Sequence, residues 1–206
     1  MNSNQRITHL FSIPIIGCLL IFSPCQAAED EVVRAKIGIE IIKDGKKDSG
    51  RQAGPLKNSL SLNESLMVYV TAEIDAFVYI VNSNKKGAEL LNPNNQLAKK
   101  AQPRIFPTAN QSYKPDGKNE EFIAVIISAR EQTKIKTLFA SGSVSYEEWK
   151  QLEEDLLKKR RIPKPEGPSH GGGIDMGGSV RGLEGGTRTS IGMGWIVKRY
   201  KFNVEN

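Results

Sequence analysis

Few side chains in this sequence have the type and spacing that chemistry requires. Apart from His9, the histidine available is His170, which lies among Ser169, Gly171, Gly172 and Gly173. A serine-type triad needs its histidine held by a carboxylate, and a glycine run offers no such support. Zinc needs several His or Cys ligands, and both cysteines, Cys18 and Cys25, fall near the N-terminus. Gly182-Leu183-Glu184-Gly185-Gly186 has the composition of a phosphate loop, but no Gly-Lys-Ser/Thr follows. Carboxylates are plentiful. A glycosidase works with two of them placed about 5–10 Å apart. Candidates such as Glu120-Glu121 and Glu153-Glu154-Asp155 read as solvated charges on a strand edge and a helix face. Tyr69, Phe77 and Tyr79 could line a ligand groove, but aromatics at strand spacing are expected in the core. The reading therefore assigns no catalytic, cofactor-binding or metal-binding residue.

The elements around these residues are mostly strands. Val33, Ala35, Ile37, Ile39 and Ile41 alternate with polar residues, which is the period-two signature of a half-buried strand. Residues 46–60 are rich in Lys, Gly, Ser and Asn and read as a loop. Leu66–Thr71, Ala76–Val81 and Gly87–Leu91 follow through short turns, which predicts an antiparallel meander. Arg104-Ile105-Phe106 reads as a short edge segment among prolines, and Glu121–Ser128 as a buried strand. Ser145-Tyr146-Glu147-Glu148 fits a capping box, so a helix is predicted over about 145–160, ended by Pro163 and Pro165. Residues 166–194 hold much of the chain's glycine and few large apolar side chains, and are read as a flexible loop. Trp195–Val204 alternates again, as a final strand expected to lie beside Val33–Ile41.

The N-terminus carries a different message. Arg6 precedes an apolar stretch from Ile7 to Phe22, then Ser23-Pro24-Cys25-Gln26-Ala27 and an acidic region. That order is the grammar of a cleavable secretory signal over 1–27, with 28–206 as one β-rich domain. An uncleaved anchor is the alternative, although a bilayer span needs about 20 apolar residues. Lipid attachment at Cys25 is another. The formal charge is +6 at pH 7, spread along the chain and densest at Lys158-Lys159-Arg160-Arg161. Nucleic-acid binding needs a concentrated patch and a reading element, so none is expected. At most, peripheral attraction to an anionic membrane surface follows.

Residues 60–130 resemble a bacterial envelope family, the one catalogued as domain of unknown function 4384. The resemblance rests on Leu66–Thr71, on Asp75-Ala76-Phe77-Val78-Tyr79-Ile80, and on Gly87–Leu91 followed by Asn92-Pro93-Asn94. Ile105-Phe106-Pro107 and Pro115-Asp116-Gly117-Lys118-Asn119-Glu120 before Phe122–Ser128 also match. Asn92 stands where the family usually has Phe or Leu. The resemblance implies a β-sandwich-like fold, often with an export signal, and no activity. The expectation is thus a mainly β, antiparallel sandwich-like domain with one C-terminal helix and a Gly-rich loop before the last strand. Its expected role is an exported, non-enzymatic binding or scaffold module of the periplasm or cell envelope, with an envelope protein as partner. The rival is a carboxylate-dependent envelope hydrolase acting on saccharide.

Overall fold

A computed structural model of the chain describes residues 31–43, 46–53, 58–94, 96–108, 111–115, 120–163 and 188–205. The leader, His170 and both glycine motifs lie outside those residues. The protein is mainly β, with two sheets packed face to face and a helical layer on one of them.

The first sheet is built on β1 (Val32–Lys43), where alternation puts Val33, Ala35, Ile37, Ile39 and Ile41 on the buried face. β4 (Glu64–Ala72) pairs antiparallel along one edge of β1, from Ala35↔Ala72 to Lys43↔Glu64. β8 (Arg104–Phe106) closes that side as the edge strand the sequence suggested. The other edge of β1 is shared. β10 (Arg188–Met193) takes its first half and β2 (Lys46–Gln52) its second.

In the second sheet β9 (Glu120–Ser128) lies between β5 (Ala76–Asn84) and β11 (Trp195–Glu205), antiparallel to both. The far edge of β5 carries β6 (Gly87–Leu90) and β7 (Leu97–Ala98). The far edge of β11 carries β3 (Asn58–Ser61), which runs parallel and reaches only Phe202–Glu205.

Between the sheets the alternating residues of both form one apolar layer, including Ile39, Val68, Val78, Val125 and Phe202. Burying each such side chain stabilises the fold by about 1.5–3 kcal/mol. The opposite face of the second sheet is also apolar, through Tyr79, Val81, Ala124, Ile126 and Val197. It is covered by α1 (Thr133–Leu138) and α2 (Tyr146–Lys158), which contribute Ile135, Trp149 and Leu156. The Phe139 and Trp149 rings meet at 5.7 Å, and Tyr79 Oη accepts the Gln132 N–H at 2.7 Å. The capping box forms as read: Ser145 Oγ accepts from the Glu148 amide, and the Glu148 carboxylate accepts from the Ser145 amide.

Several expectations are corrected. The segment 46–60 is not all loop, because β2 and the start of β3 lie in it. β4 and β5 do not form a meander; the chain crosses from one sheet to the other between them, and of these three strands only β5 and β6 form a hairpin. A second helix, α1, precedes the predicted one. The end of the segment read as a glycine-rich loop is strand β10, Arg188–Met193, while residues 166–187 lie outside the described residues. The last strand buries Ile196, Tyr200, Phe202 and Val204 as its alternation requires, but it pairs with β9 and β3, not with β1. The strand beside β1 is β10. One residue explains the exchange: Gly194, at φ 75°, turns the chain from the first sheet into the second.

Candidate functional site

The flank where β10 and β11 diverge is the part of the molecule with the most unusual residue placement. On β11 the even-numbered side chains face the space between the sheets. Ile196, Tyr200, Phe202 and Val204 suit that face, but Lys198 occupies it too. The same parity on β10 puts Arg188, Ser190 and Gly192 on the inward side, paired with Ile37, Ala35 and Val33 of β1; Ser190 and Gly192 are buried and Arg188 is exposed at the strand's start. Gly192 has no room for a side chain: an added Cβ would lie 2.1 Å from the Trp195 carbonyl oxygen. This close approach holds the two strands together at their turn, leaving them to separate further along.

A cleft of about 300 Å³ opens there. Ile37, Ile196 and Tyr200 form its apolar floor, and Ser190 lies in its wall. The stretch after α2 reaches its rim because the Met193 N–H donates to Arg161 O at 2.9 Å and Trp195 Nε1 donates to Leu156 O at 3.2 Å. That route brings Arg160 and Ile162 to the cleft, where Arg188 and Lys198 also stand.

The electrostatics follow from this gathering. Lys198 is half-buried, and its ammonium is held below the ordinary lysine value of 10.5, first by burial and then by Arg160 and Arg188. Burial pushes the Tyr200 hydroxyl up, with Arg188 partly offsetting it. No carboxylate lines the cleft among the described residues. The Ser190 hydroxyl is buried and has no hydrogen-bond partner among them. Leaving such a group unsatisfied costs about 1–3 kcal/mol.

The carboxylates singled out in the sequence take other positions. Glu120 is exposed and pairs with Lys201 at 2.5 Å, but Glu121 is buried, sharing parity with Ile123 and Val125, and accepts from Tyr113 Oη at 3.4 Å. Glu154 is exposed and lies 3.7 Å from Lys158. Glu153, by contrast, is 1 % exposed and faces the second sheet from α2, 3.4 Å from Arg199. Burial raises its carboxyl pKa above the usual value, and Arg199 partly opposes that. The Arg199 guanidinium also sits 4.0 Å above the Phe122 ring and donates to Tyr146 Oη at 3.4 Å. Both buried glutamates correct the expectation of solvated charge, and both were visible as parity: Glu121 with the β9 core set, Glu153 four residues after Trp149. They lie on opposite faces of the second sheet, so the two do not share a site. A shallow groove between α1 and α2 has Glu148 and Asp155 on its wall. Glu148 is committed to the capping box, and its hydrogen bonds from Ser145 hold its pKa down.

Tyr79 is a core residue, and Phe77 packs beside it against the helical layer. Tyr69 lies on the outer face of the first sheet and donates to Glu40 at 2.5 Å; burial and that carboxylate raise its pKa. No group of three or more His, Cys, Asp and Glu side chains suited to a metal occurs among the described residues. No helix among them is long and apolar enough to cross a membrane.

No family model, curated protein or solved structure matches the chain. The chemistry of the cleft therefore has to be argued from its own residues. Three cations from three elements around an apolar floor suit an anion.

Proposed function

We propose that this protein is an exported, non-enzymatic binding module of the bacterial cell envelope, holding a protein or other envelope component at the β10–β11 flank. The carrying observation is the convergence of Arg160, Arg188 and Lys198 on a cleft that no carboxylate lines among the described residues. The flank also borders an open strand edge: β3 begins opposite Phe202, so Trp195–Tyr200 has no strand on that side among the described residues. Such edges are where extended partners add to a sheet. The leader-like order of residues 1–27 supports export, and the resemblance over 60–130 to domain of unknown function 4384 supports an envelope setting. A saccharide hydrolase draws no support from a cationic cleft, nor from glutamates on opposite faces of a sheet.

The test uses a photo-crosslinking residue at Thr189, on the cleft, and another at Lys134, on the helical side, each in the protein expressed in its envelope. Adducts from position 189 and none from 134 are expected. Equal labelling, or none at 189, would sink the reading. N-terminal sequencing of the same material is expected to start at Ala28.

A further inference from the structure

The geometry points to a phosphate-ester dianion as the group held in the β10–β11 cleft by Arg160, Arg188 and Lys198. This rests on the binding reading above only in locating a ligand at this flank. Three separate observations carry it.

The first is the charge. A single carboxylate would neutralise one of three cations that already repel one another, whereas a phosphate monoester carries close to two negative charges at neutral pH and three acceptor oxygens. Arginine's planar fork matches such oxygens bidentately, and lysine adds a compact point charge. The cations come from the stretch after α2, from β10 and from β11, so they reach the cleft from three different elements. A planar carboxylate can be met in its plane by one fork; a tetrahedral group can be met from three sides.

The second is Ser190. Its side chain is 4 % exposed, its hydroxyl has no partner among the described residues, and the residue stands in the cleft wall. A phosphate oxygen supplies the missing acceptor once the hydroxyl rotates towards the cleft.

The third is the apolar part. Ile37, Ile196 and Tyr200 lie beneath the cations, and Ile162, 58 % exposed, stands at the rim. Inorganic anions have no use for these surfaces. An ester with a hydrocarbon stem does. The same chemistry belongs to a soluble phosphomonoester and to the monoester headgroup of phosphatidic acid. A volume of about 300 Å³ is at the small end of ligand pockets, enough for the phosphate and the first atoms of its stem.

The experiment is a titration of the full mature protein with inorganic phosphate, with acetate, with glycerol 3-phosphate, and with phosphatidylcholine vesicles with and without phosphatidic acid. Binding is read by calorimetry and by the NMR signal of isotope-labelled dimethyl-Lys198. Phosphate and its ester are expected to bind at least tenfold more tightly than acetate and to shift the Lys198 signal. Lys198→Met and Arg188→Gln are each expected to lower that affinity at least tenfold, and Lys134→Gln to leave it unchanged. Binding to phosphatidic acid vesicles but not to glycerol 3-phosphate assigns the lipid source, and the reverse assigns the soluble one; either supports the inference. Equal binding of acetate and phosphate overturns it, as does phosphate binding that survives both cleft substitutions in proteins with normal melting curves. Envelope crosslinks at position 189 without phosphate binding would reject the ligand class and leave the binding module standing. Phosphate binding without crosslinks would do the opposite.

Discussion

Lys198 and Arg199 are neighbours on one strand, face opposite sides of one sheet, and live under opposite rules. Arg199 is enclosed by what it needs: Glu153 opposite its charge, the Phe122 ring under its plane, and the Tyr146 hydroxyl at its edge. Lys198 is surrounded by more of the same charge. The first is a tie between helix and sheet, in which Arg199 Nε and one Glu153 carboxylate oxygen still have no hydrogen-bond partner among the described residues. The second is a charge for which no carboxylate lines the cleft among the described residues. The difference separates a cation tied to its own fold from one that the described residues leave without a counter-charge.

The sharpest way to break the comparison is to remove the strand that carries both. Phe202→Ala empties a fully buried site on β11, and a loss of about 3–5 kcal/mol is expected in urea unfolding. A loss below about 1 kcal/mol would mean that β11 is not held by its buried face.

Next in size is Arg199→Ala, which leaves Glu153 buried without its counter-charge. Breaking such a pair typically costs about 3–5 kcal/mol, and the lower end is expected because the carboxyl can take up a proton. Glu153→Gln should cost less and should change the pH dependence. The folded Glu153 pKa is raised above its ordinary 4.5 by burial, so its contribution is fully present below that value and is lost as pH rises through the folded pKa. Melting temperatures across this range should therefore fall in the wild type relative to Glu153→Gln. Parallel curves would refute the assignment.

The smallest effect is expected on the other side of the strand. Lys198→Met removes a half-buried ammonium from beside two arginines, so the melting temperature at neutral pH should rise slightly. The folded Lys198 pKa lies below 10.5, so its penalty is present at lower pH and is relieved as pH climbs through the folded pKa towards that value. The substituted protein should lack this relief. A fall in stability on Lys198→Met would show that the lysine, like Arg199, is a structural tie.

The two layers of the fold differed in how plainly their sequences announced them. Alternation at Val33–Ile41 and at Trp195–Val204 identified strands and their buried faces, and Ser145 with Glu148 identified the start of α2. Pairing was not legible to the same degree. Alternation says which face of a strand is buried, but not which strand lies beside it. That is why β4 and β5 read as hairpin neighbours and turned out to belong to different sheets. β10 was hidden because its inward residues are Arg188, Ser190 and Gly192, which carry no apolar signal. The cleft was hidden for the same reason. Its one advance sign was Lys198, a break in an otherwise apolar even-numbered row, and it gains meaning only once Arg160 and Arg188 are brought alongside it by pairings over long sequence distances.

The turn at Gly194 also governs when the protein can fold. Val32 pairs with Met193 and Asn58 with Phe202, so an edge of the first sheet and the strand flanking β9 in the second both wait for residues 188–205 to be made. Neither sheet is complete on an emerging chain that stops short of them. Contacts so distant in sequence make assembly slow and concerted. Until that last stretch is delivered, the long apolar strands β1 and β9 lack their final neighbours, and the growing chain stays open to whatever else can pair with them.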